Sequence, residues 1–127
     1  MYISCWPQKV DVKDKFGGVL KSADKGKTWR QVFDERVRVN SAAADPLNKG
    51  RIFINTFQNA AFISENHGAT WQRLGGYRFK WGQRVIPDMH HAGKIFLTTY
   101  GGSVFYGPAK AVSAEKEHII NMPSGWW

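Results

Sequence analysis

The sequence predicts an all-β repeat protein, and three observations carry this prediction. Two turns of nearly the same sequence begin at Ser22 and at Ser64, 42 residues apart. The apolar segments beside them are short, rich in β-branched and aromatic residues, and bounded by glycine or polar turns, which is typical of strands. A repeat of this length holds about four short strands. Six residues recur 43 positions later: Asp45 as Asp88, Gly50 as Gly93, Ile52 as Ile95, Phe53 as Phe96, Thr56 as Thr99 and Phe57 as Tyr100.

The strands are predicted in chain order from the apolar runs and the turns between them. Residues 2–6 are predicted as the first strand. The segment 1–6 resembles residues 52–57, and a loop over residues 7–16 follows. A short helix of one or two turns is predicted only over residues 109–118. The ten predicted strands are 2–6, 17–22, 28–33, 37–43, 51–57, 60–64, 70–74, 83–87, 94–100 and 103–107.

The two similar turns have a sequence that suits a tight loop closed by its own side chains. An Asp or Asn side chain accepts hydrogen bonds from nearby backbone N–H groups, and a glycine two positions later allows the left-handed conformation. Asn66 in the second turn keeps the acceptor and removes the charge, so we expect that turn to persist. The predicted structural residues are Ser22, Asp24, Gly26, Thr28 and Trp29 in the first turn, and Ser64, Asn66, Gly68, Thr70 and Trp71 in the second.

Composition limits the classes of function. The 127 residues are 43% hydrophobic and 14% aromatic, which suits one compact body. The single cysteine, Cys5, excludes an internal disulfide and is expected to be a buried, inert thiol. Asp88, His90 and His91 are predicted to form a solvated turn, because one turn offers too few ligands for a metal ion. Motifs for nucleotide binding or nucleophilic hydrolysis are lacking, so no cofactor and no metal are predicted.

The net charge of +8 favours an anionic partner. Nucleic acid is the less favoured partner, because the basic residues are spread over loops and the aromatic residues lie mostly at strand positions facing a core. No apolar run reaches the roughly 20 residues that span a bilayer, so membrane insertion is not predicted. The first nine residues lack the basic-then-apolar order of a signal peptide, and the compartment stays open.

The turn sequence Ser-x-Asp-x-Gly-x-Thr-Trp resembles the Asp-box, or BNR, repeat of sialidases, other glycosidases, sortilin-type receptors and photosystem assembly factors. The first turn fits fully, the second departs only at Asn66, and the resemblance covers about residues 1–108. It implies β-propeller blades, each a four-stranded antiparallel sheet. The expected blades are a partial one over 1–33, a full one over 37–74 and a partial one over 83–107, with a non-repeat tail over 109–127.

These two and a half blades form an incomplete ring, since closed propellers have about 4 to 8 blades. Three ways of completing it stay open. The chain is a segment of a longer propeller, copies of the chain assemble into one ring, or the tail and loops cover the exposed edges. The expected macromolecular partners are therefore further blades, from the parent chain or from self-association.

The resemblance places the substrate face of the propeller opposite the Asp-box turns. The loops expected there carry cations beside aromatic rings. This combination suits an acidic sugar, because guanidinium groups bind a carboxylate or sulfate and rings stack on the pyranose. The alternative is that Tyr77 and Trp81 fill the joint between blades and that the cations are solvated. The predicted glycan-binding residues are Arg38, Tyr77, Arg78, Trp81 and Arg84.

A complete catalytic site is not predicted. A glycosidase needs two carboxylates that flank the scissile bond. The candidates on this face, Asp11, Asp14, Asp34 and Glu35, have no sequence context that pairs them. The sialidase set of a tyrosine, its carboxylate partner and three arginines is contributed by blades all around a ring.

The resemblance implies a carbohydrate-related Asp-box propeller module. It would form the C-terminal blades of a sialidase-like or glycoside-hydrolase-like protein, with a cationic, aromatic face for an anionic glycan. A glycan-processing protein of this kind would be secreted or periplasmic. Two alternatives stay open: a non-catalytic scaffold that binds a protein, as in sortilin-type receptors or assembly factors, and a lectin formed by oligomerisation of the blades.

Overall fold

A computed structural model of the chain describes residues 1–58, 60–77, 79 and 81–112. These residues form strands and turns without a helix, which confirms the predicted all-β fold, and none of them belongs to a helix able to cross a lipid bilayer. The strands are β1 (Tyr2–Cys5), β2 (Gln8–Val10), β3 (Lys13–Lys15), β4 (Gly18–Lys21), β5 (Arg30–Phe33), β6 (Val39–Ala44), β7 (Ile52–Thr56), β8 (Ala61–Ser64), β9 (Gln72–Arg73), β10 (Gly82–Pro87), β11 (Lys94–Thr99) and β12 (Val104–Pro108).

The strands form three antiparallel sheets and one separate hairpin. The first sheet has the order β1-β4-β5, the middle sheet β6-β7-β8-β9 and the last sheet β10-β11-β12, while β2 pairs only with β3. Each of the ten predicted strands has a counterpart whose ends differ from the prediction by at most two residues. Consecutive strands are neighbours in the middle and last sheets, so short turns connect them.

The segment predicted as a loop over residues 7–16 contains the hairpin of β2 and β3, so that prediction was wrong. Asp11 and Val12 join the two strands with φ angles of 48° and 63°. Two successive residues with positive φ make the tight turn whose twist matches that of paired strands. The sequence did not reveal the hairpin because its strands are three residues long and mostly charged, and its turn lacks glycine and asparagine.

The short helix predicted over residues 109–118 is absent from the described part of that segment. Ala111 pairs with Leu74, and backbone hydrogen bonds of 2.9 and 2.8 Å flank this pair. The chain therefore runs antiparallel to the outer edge of the middle sheet and satisfies backbone groups there. Residues 113–127, the rest of the predicted tail, lie outside the described residues.

Two hydrophobic clusters lie on the two sides of the middle sheet. Val19, Val39 and Ile54 belong to the cluster shared with the first sheet, whereas Phe53 and Leu97 belong to the cluster shared with the last sheet. Successive residues of a strand point to opposite faces, so β7 contributes to both clusters and all five of its residues are buried. Each large apolar side chain buried in this way contributes about 1.5–3 kcal/mol.

Polar side chains also bond the middle sheet to the last sheet. The Asn55 side-chain nitrogen donates to the carbonyl oxygens of Arg84 at 3.0 Å and of Thr98 at 3.3 Å. The Ser41 hydroxyl accepts a hydrogen bond from the Val85 N–H at 2.9 Å. These bonds fix the register of one sheet against the other, which apolar packing alone specifies less strictly.

Gly82 lies at a close approach of the middle and last sheets. Its carbonyl oxygen accepts a hydrogen bond from Asn40 Nδ2, and a Cβ atom at this position would overlap Asn55 Oδ1 and the Thr56 carbonyl oxygen. Asn40 Oδ1 accepts a hydrogen bond from the Trp6 indole N–H at 2.6 Å. Strand β6 is thus bonded toward both of its neighbouring sheets.

The first turn (residues 22–29) is closed by its own side chains, as predicted. Ser22 Oγ accepts a hydrogen bond from the Gly26 N–H at 2.7 Å, and Asp24 Oδ1 accepts one from the Thr28 N–H at 2.8 Å. The Thr28 hydroxyl donates to Asp24 Oδ2 at 2.5 Å. Gly26 has a φ of 89°, the left-handed conformation that glycine adopts without a steric penalty.

The second turn (residues 64–71) has the same geometry, so the prediction that it tolerates asparagine is confirmed. Ser64 Oγ accepts a hydrogen bond from the Gly68 N–H at 2.9 Å, and Asn66 Oδ1 accepts one from the Thr70 N–H at 2.8 Å. One bond changes direction, because Asn66 Nδ2 donates to the Thr70 hydroxyl at 2.8 Å whereas the aspartate of the first turn accepts.

We expect Gly82→Ala to destabilise the fold, because its methyl group would meet buried atoms of the middle sheet. Overpacking of this kind costs about 1–3 kcal/mol, which should lower the midpoint of denaturant-induced unfolding. Gly107→Ala is the matched control, since a Cβ atom there meets the Tyr77 hydroxyl at an ordinary 3.5 Å. Equal midpoints for the two variants would contradict this account of the sheet contact.

The first turn should also make stability depend on acid. Hydrogen bonds from the side chain and then the backbone of Thr28 lower the pKa of Asp24 to about 2, below its ordinary 3.8. The carboxylate therefore stabilises the folded state above about pH 4, and this contribution is lost as the pH falls toward about 2. In thermal melts across this range, Asp24→Asn should lose less stability than the wild type, and Asn66→Asp should lose more. Identical pH profiles for all three proteins would refute the assignment.

Candidate functional site

The strand registers define two ends of the sheets. In the middle sheet Val39 pairs with Thr56 at one end, and Ile52 pairs with Ser64 at the other. The first and second turns follow β4 and β8, so they lie at the end of Ser64. The segments that precede β6 and β10, and those that follow β1, β7 and β11, lie at the opposite end, which we call the cleft end.

Five side chains form a row across the three sheets at the cleft end, and we call them the aromatic–arginine row. Trp6, Phe57 and Tyr100 follow β1, β7 and β11, whereas Arg38 and Trp81 precede β6 and β10. The Phe57 N–H donates to the Arg38 carbonyl and the Tyr100 N–H to the Trp81 carbonyl, both at 2.9 Å. The repeat thus places the same backbone pairing in successive sheets.

Arg38 is held between two aromatic rings. Its guanidinium carbon lies 4.5 Å from the centre of the Trp6 ring and 4.6 Å from the centre of the Phe57 ring. Among the described residues, no carboxylate lies within salt-bridge distance of Arg38. Both rings lie within cation–π distance of the guanidinium, whose planar fork of N–H groups matches a carboxylate or sulfate.

Trp81 continues the row beyond Phe57. The two ring centres are 6.4 Å apart and their planes differ by 25°, and the Phe57 ring is also 6.4 Å from the Tyr100 ring. The Trp81 side chain is 41% exposed. Its φ is 54°, a left-handed conformation that costs a bulky residue about 1–3 kcal/mol and persists only where the surrounding structure holds it.

A cleft of about 620 Å³ opens beside the row. Lys9 forms an ion pair with Asp14 at 2.9 Å, so these two charges of the hairpin largely cancel. Arg36 is paired with Asp34 at 2.6 Å. The arginine of the row is therefore the cation of the cleft that has no carboxylate partner within the described residues. The charged and aromatic lining consists of Lys9, Asp14, Arg36, Arg38, Phe57 and Trp81.

The structure brings together two of the five predicted glycan-binding residues. Arg38 and Trp81 belong to the row and line the cleft. Arg84 is exposed in β10, where the neighbouring Val85 points into the core, so Arg84 points away from the middle sheet and from the cleft. Arg78 lies outside the described residues.

Tyr77 occupies the joint between the middle and last sheets. Its hydroxyl donates to the Pro108 carbonyl at 3.0 Å, and its ring meets the Phe105 ring edge-on at 6.3 Å. Burial raises the pKa of Tyr77. This position corresponds to the alternative that the sequence left open for Tyr77, in which the ring fills the space between units.

Trp6, Phe57 and Tyr100 belong to the row but were not predicted as site residues. The signal was present in the repeat, since each unit has an aromatic residue at the same position. The sequence assigned these residues to the ends of strands facing a core. The structure ends each strand one residue earlier, which leaves the aromatic side chains at the surface.

The four carboxylates considered for catalysis are engaged in local contacts or lie in a turn. Asp11 lies in the exposed turn of the hairpin, and Asp14 is in the ion pair described above. Hydrogen bonds from the Arg36 side chain lower the pKa of Asp34. Glu35 accepts a backbone hydrogen bond at 3.3 Å. A lowered pKa suits an ion pair and is the opposite of what a general acid needs.

A second polar cluster lies at the other end of the last sheet. Asp88 accepts hydrogen bonds from the N–H groups of His90 and His91 at 2.8 and 3.2 Å and from the Tyr106 hydroxyl at 2.6 Å. The Tyr106 bond is the main reason that the pKa of Asp88 lies well below its ordinary value. Both histidines are exposed, and no group of three potential metal ligands occurs within the described ranges.

Comparison of this chain with protein-family models, with curated protein sequences and with solved structures finds no match.

Tyr77 is packed between sheets and Trp81 is exposed, so we expect alanine substitutions of these two residues to lower the free energy of unfolding by different amounts. Tyr77→Ala removes a ring packed between sheets and should lower the free energy of unfolding by about 2 kcal/mol or more. Trp81→Ala removes an exposed ring and should cost about 1 kcal/mol or less. Denaturant unfolding of both variants measures the difference. A larger loss for Trp81→Ala would show that this tryptophan, too, is part of the core.

Proposed function

We propose that the three sheets are successive blades of an Asp-box β-propeller, and that the cleft end binds a carbohydrate with an anionic group. The blade assignment is supported by the repeated backbone bonds and by the position of both turns at one end. It is also supported by the packing of β6 against β1 and of β10 against β6, which makes the first strand of each unit adjacent to the previous unit.

The single observation that carries the ligand class is Arg38 between the rings of Trp6 and Phe57. The flanking rings keep the guanidinium in one orientation and reduce its contact with water. An anion that approaches in the plane of the guanidinium then receives two parallel hydrogen bonds, a geometry that selects carboxylate or sulfate over a hydroxyl.

The aromatic members of the row supply the second half of the recognition. The exposed face of Trp81 offers an apolar surface of the size of a pyranose ring, at the edge of the same cleft. A sugar that stacks there brings its acidic substituent toward Arg38, which lies on the other side of Phe57. Because the charge of Arg38 has no carboxylate partner within the described residues, it attracts the anion directly, so binding should weaken as salt increases.

The contacts of the acidic residues favour binding over hydrolysis within this chain. Glycoside hydrolysis needs one carboxylic acid that donates a proton and one carboxylate opposite it. Asp14 and Asp34 are both occupied by cations. We therefore propose that the chain supplies ligand-binding blades to a sialidase-like or glycoside-hydrolase-like protein.

Binding should depend on the shape of the Arg38 side chain as well as on its charge. We expect Arg38→Lys to weaken an anionic glycan about tenfold, because lysine keeps the charge and lacks the fork, and Arg38→Met to weaken it further. Trp81→Ala should weaken anionic and neutral glycans alike. Lys27→Met is the matched control, since it removes an exposed charge in the first turn, far from the cleft.

An array of sialylated, uronate-containing, sulfated and neutral oligosaccharides gives the first measurement, and calorimetric titration of the best ligand gives the affinities. No binding to any glycan, or equal affinities for Arg38→Met and Lys27→Met, would refute the proposal. A protein captured by the wild type and lost in Arg38→Met, with no competition by sugar, would favour the interaction scaffold instead.

A further inference from the structure

The described residues leave an apolar face of the last sheet uncovered. Ile86, Phe96, Val104 and Tyr106 lie in its strands and are exposed to solvent. They alternate with Val85, Ile95 and Leu97, which are buried against the middle sheet. The Phe96 and Tyr106 rings stack with their centres 4.4 Å apart, so this face is a formed surface and not a set of isolated side chains.

In the middle sheet, the equivalent face is covered by the sheet that follows it in the chain. The residues 43 positions earlier in the middle sheet are Ala43, Phe53, Ala61 and Ile63, and they pack against the last sheet.

The burial of these equivalent positions differs greatly. Phe53 is 0% exposed and Phe96 37%, Ala61 is 1% exposed and Val104 62%, and Ile63 is 3% exposed and Tyr106 46%. One set is covered by a following sheet and the other is open.

The first sheet has the complementary open face. The repeat matches Ile3 with Ile54 and Trp29 with Trp71. In the middle sheet, Ile54 and Trp71 face the first sheet. The Trp71 indole N–H donates to the Val32 carbonyl of the first sheet at 2.7 Å. The Trp29 indole donates to a carbonyl of its own turn at 3.1 Å, and Ile3 is exposed.

We infer that a second copy of this chain docks head to tail, with the open face of the last sheet of one copy against the open face of the first sheet of the other. Within the molecule, the face that one sheet turns toward the next sheet in the chain packs against the face that this next sheet turns back. The open face of the last sheet is of the first type, and the open face of the first sheet is of the second type. A contact between two copies would therefore repeat the internal packing.

Head-to-tail contacts form a ring when the rotation between copies returns to the first copy, and an open filament otherwise. Two copies supply six such sheets, which lies within the range of about 4 to 8 blades in closed propellers. The inference rests on the blade arrangement of the proposed function and not on its ligand, because the cleft residues all belong to one chain.

Two charge substitutions test the two faces separately by light scattering on a sizing column. Val104→Arg alters the face of the last sheet, Ile3→Arg alters the face of the first sheet, and Ala92→Arg, in an exposed turn, is the control. We expect the wild type and Ala92→Arg to be discrete oligomers, and Val104→Arg and Ile3→Arg to be monomers with strand content unchanged by circular dichroism. Ile3→Gln replaces Ile3→Arg if the latter does not fold.

Mixing the two monomeric variants tests the direction of the contact. Val104→Arg keeps an intact first sheet and Ile3→Arg keeps an intact last sheet, so the mixture should form a one-to-one complex. A monomeric wild type, an oligomer that persists in both variants, or a mixture without a complex would overturn the inference. Glycan binding should be unchanged in Val104→Arg, because Val104 does not line the cleft. A loss of the oligomer without a loss of glycan binding would therefore test the docking of copies independently of the cleft.

Discussion

Strand β7 lies between two other sheets, and the rest of the structure depends on its burial from both sides. Phe53 and Ile54 are adjacent in sequence, completely buried, and committed to different hydrophobic clusters. One unit of a repeat protein cannot bury its hydrophobic faces alone, and stacking on neighbouring units forms the core. The middle sheet therefore stabilises the fold only through its two neighbours, and each neighbour keeps one face that the described chain leaves uncovered.

The surface of the cleft end is a consequence of the same packing. Arg38 and Phe57 are at the cleft end of the middle sheet, while Trp6 and Trp81 come from the sheets on either side. The four side chains interleave because adjacent sheets are packed closely enough for a residue before one strand to reach a residue after another. Each residue of the row is adjacent in sequence to the end of a strand, so the repeat itself generates a continuous surface from side chains of three units.

Much of the fold could be predicted from the sequence, because the repeat and the apolar periodicity are local signals. The two turns are recognisable because Ser, Asp or Asn, Gly and Thr each make a bond within eight residues. The β2–β3 hairpin could not be predicted, since its stability comes from backbone pairing of charged residues. Only part of the aromatic–arginine row could be predicted from the sequence. Arg38 and Trp81 have polar or loop contexts, whereas Phe57 and Tyr100 read as core residues, and only the packing of the sheets shows which strand ends reach the surface.

The strained conformation of Trp81 connects the core to the proposed binding surface. Gly82 must approach Asn55 closely, and the register of β10 shifts between Gly82 and Arg84 to allow this. The residue that precedes such a contact has little freedom, and Trp81 accepts a positive φ while its N–H and carbonyl bond to strand-end residues of two sheets. A ligand that spans Arg38 and Trp81 would contact residues leading into two different sheets. Because it would bind only when those sheets are packed together, its binding free energy would add to the stability of the joint between them.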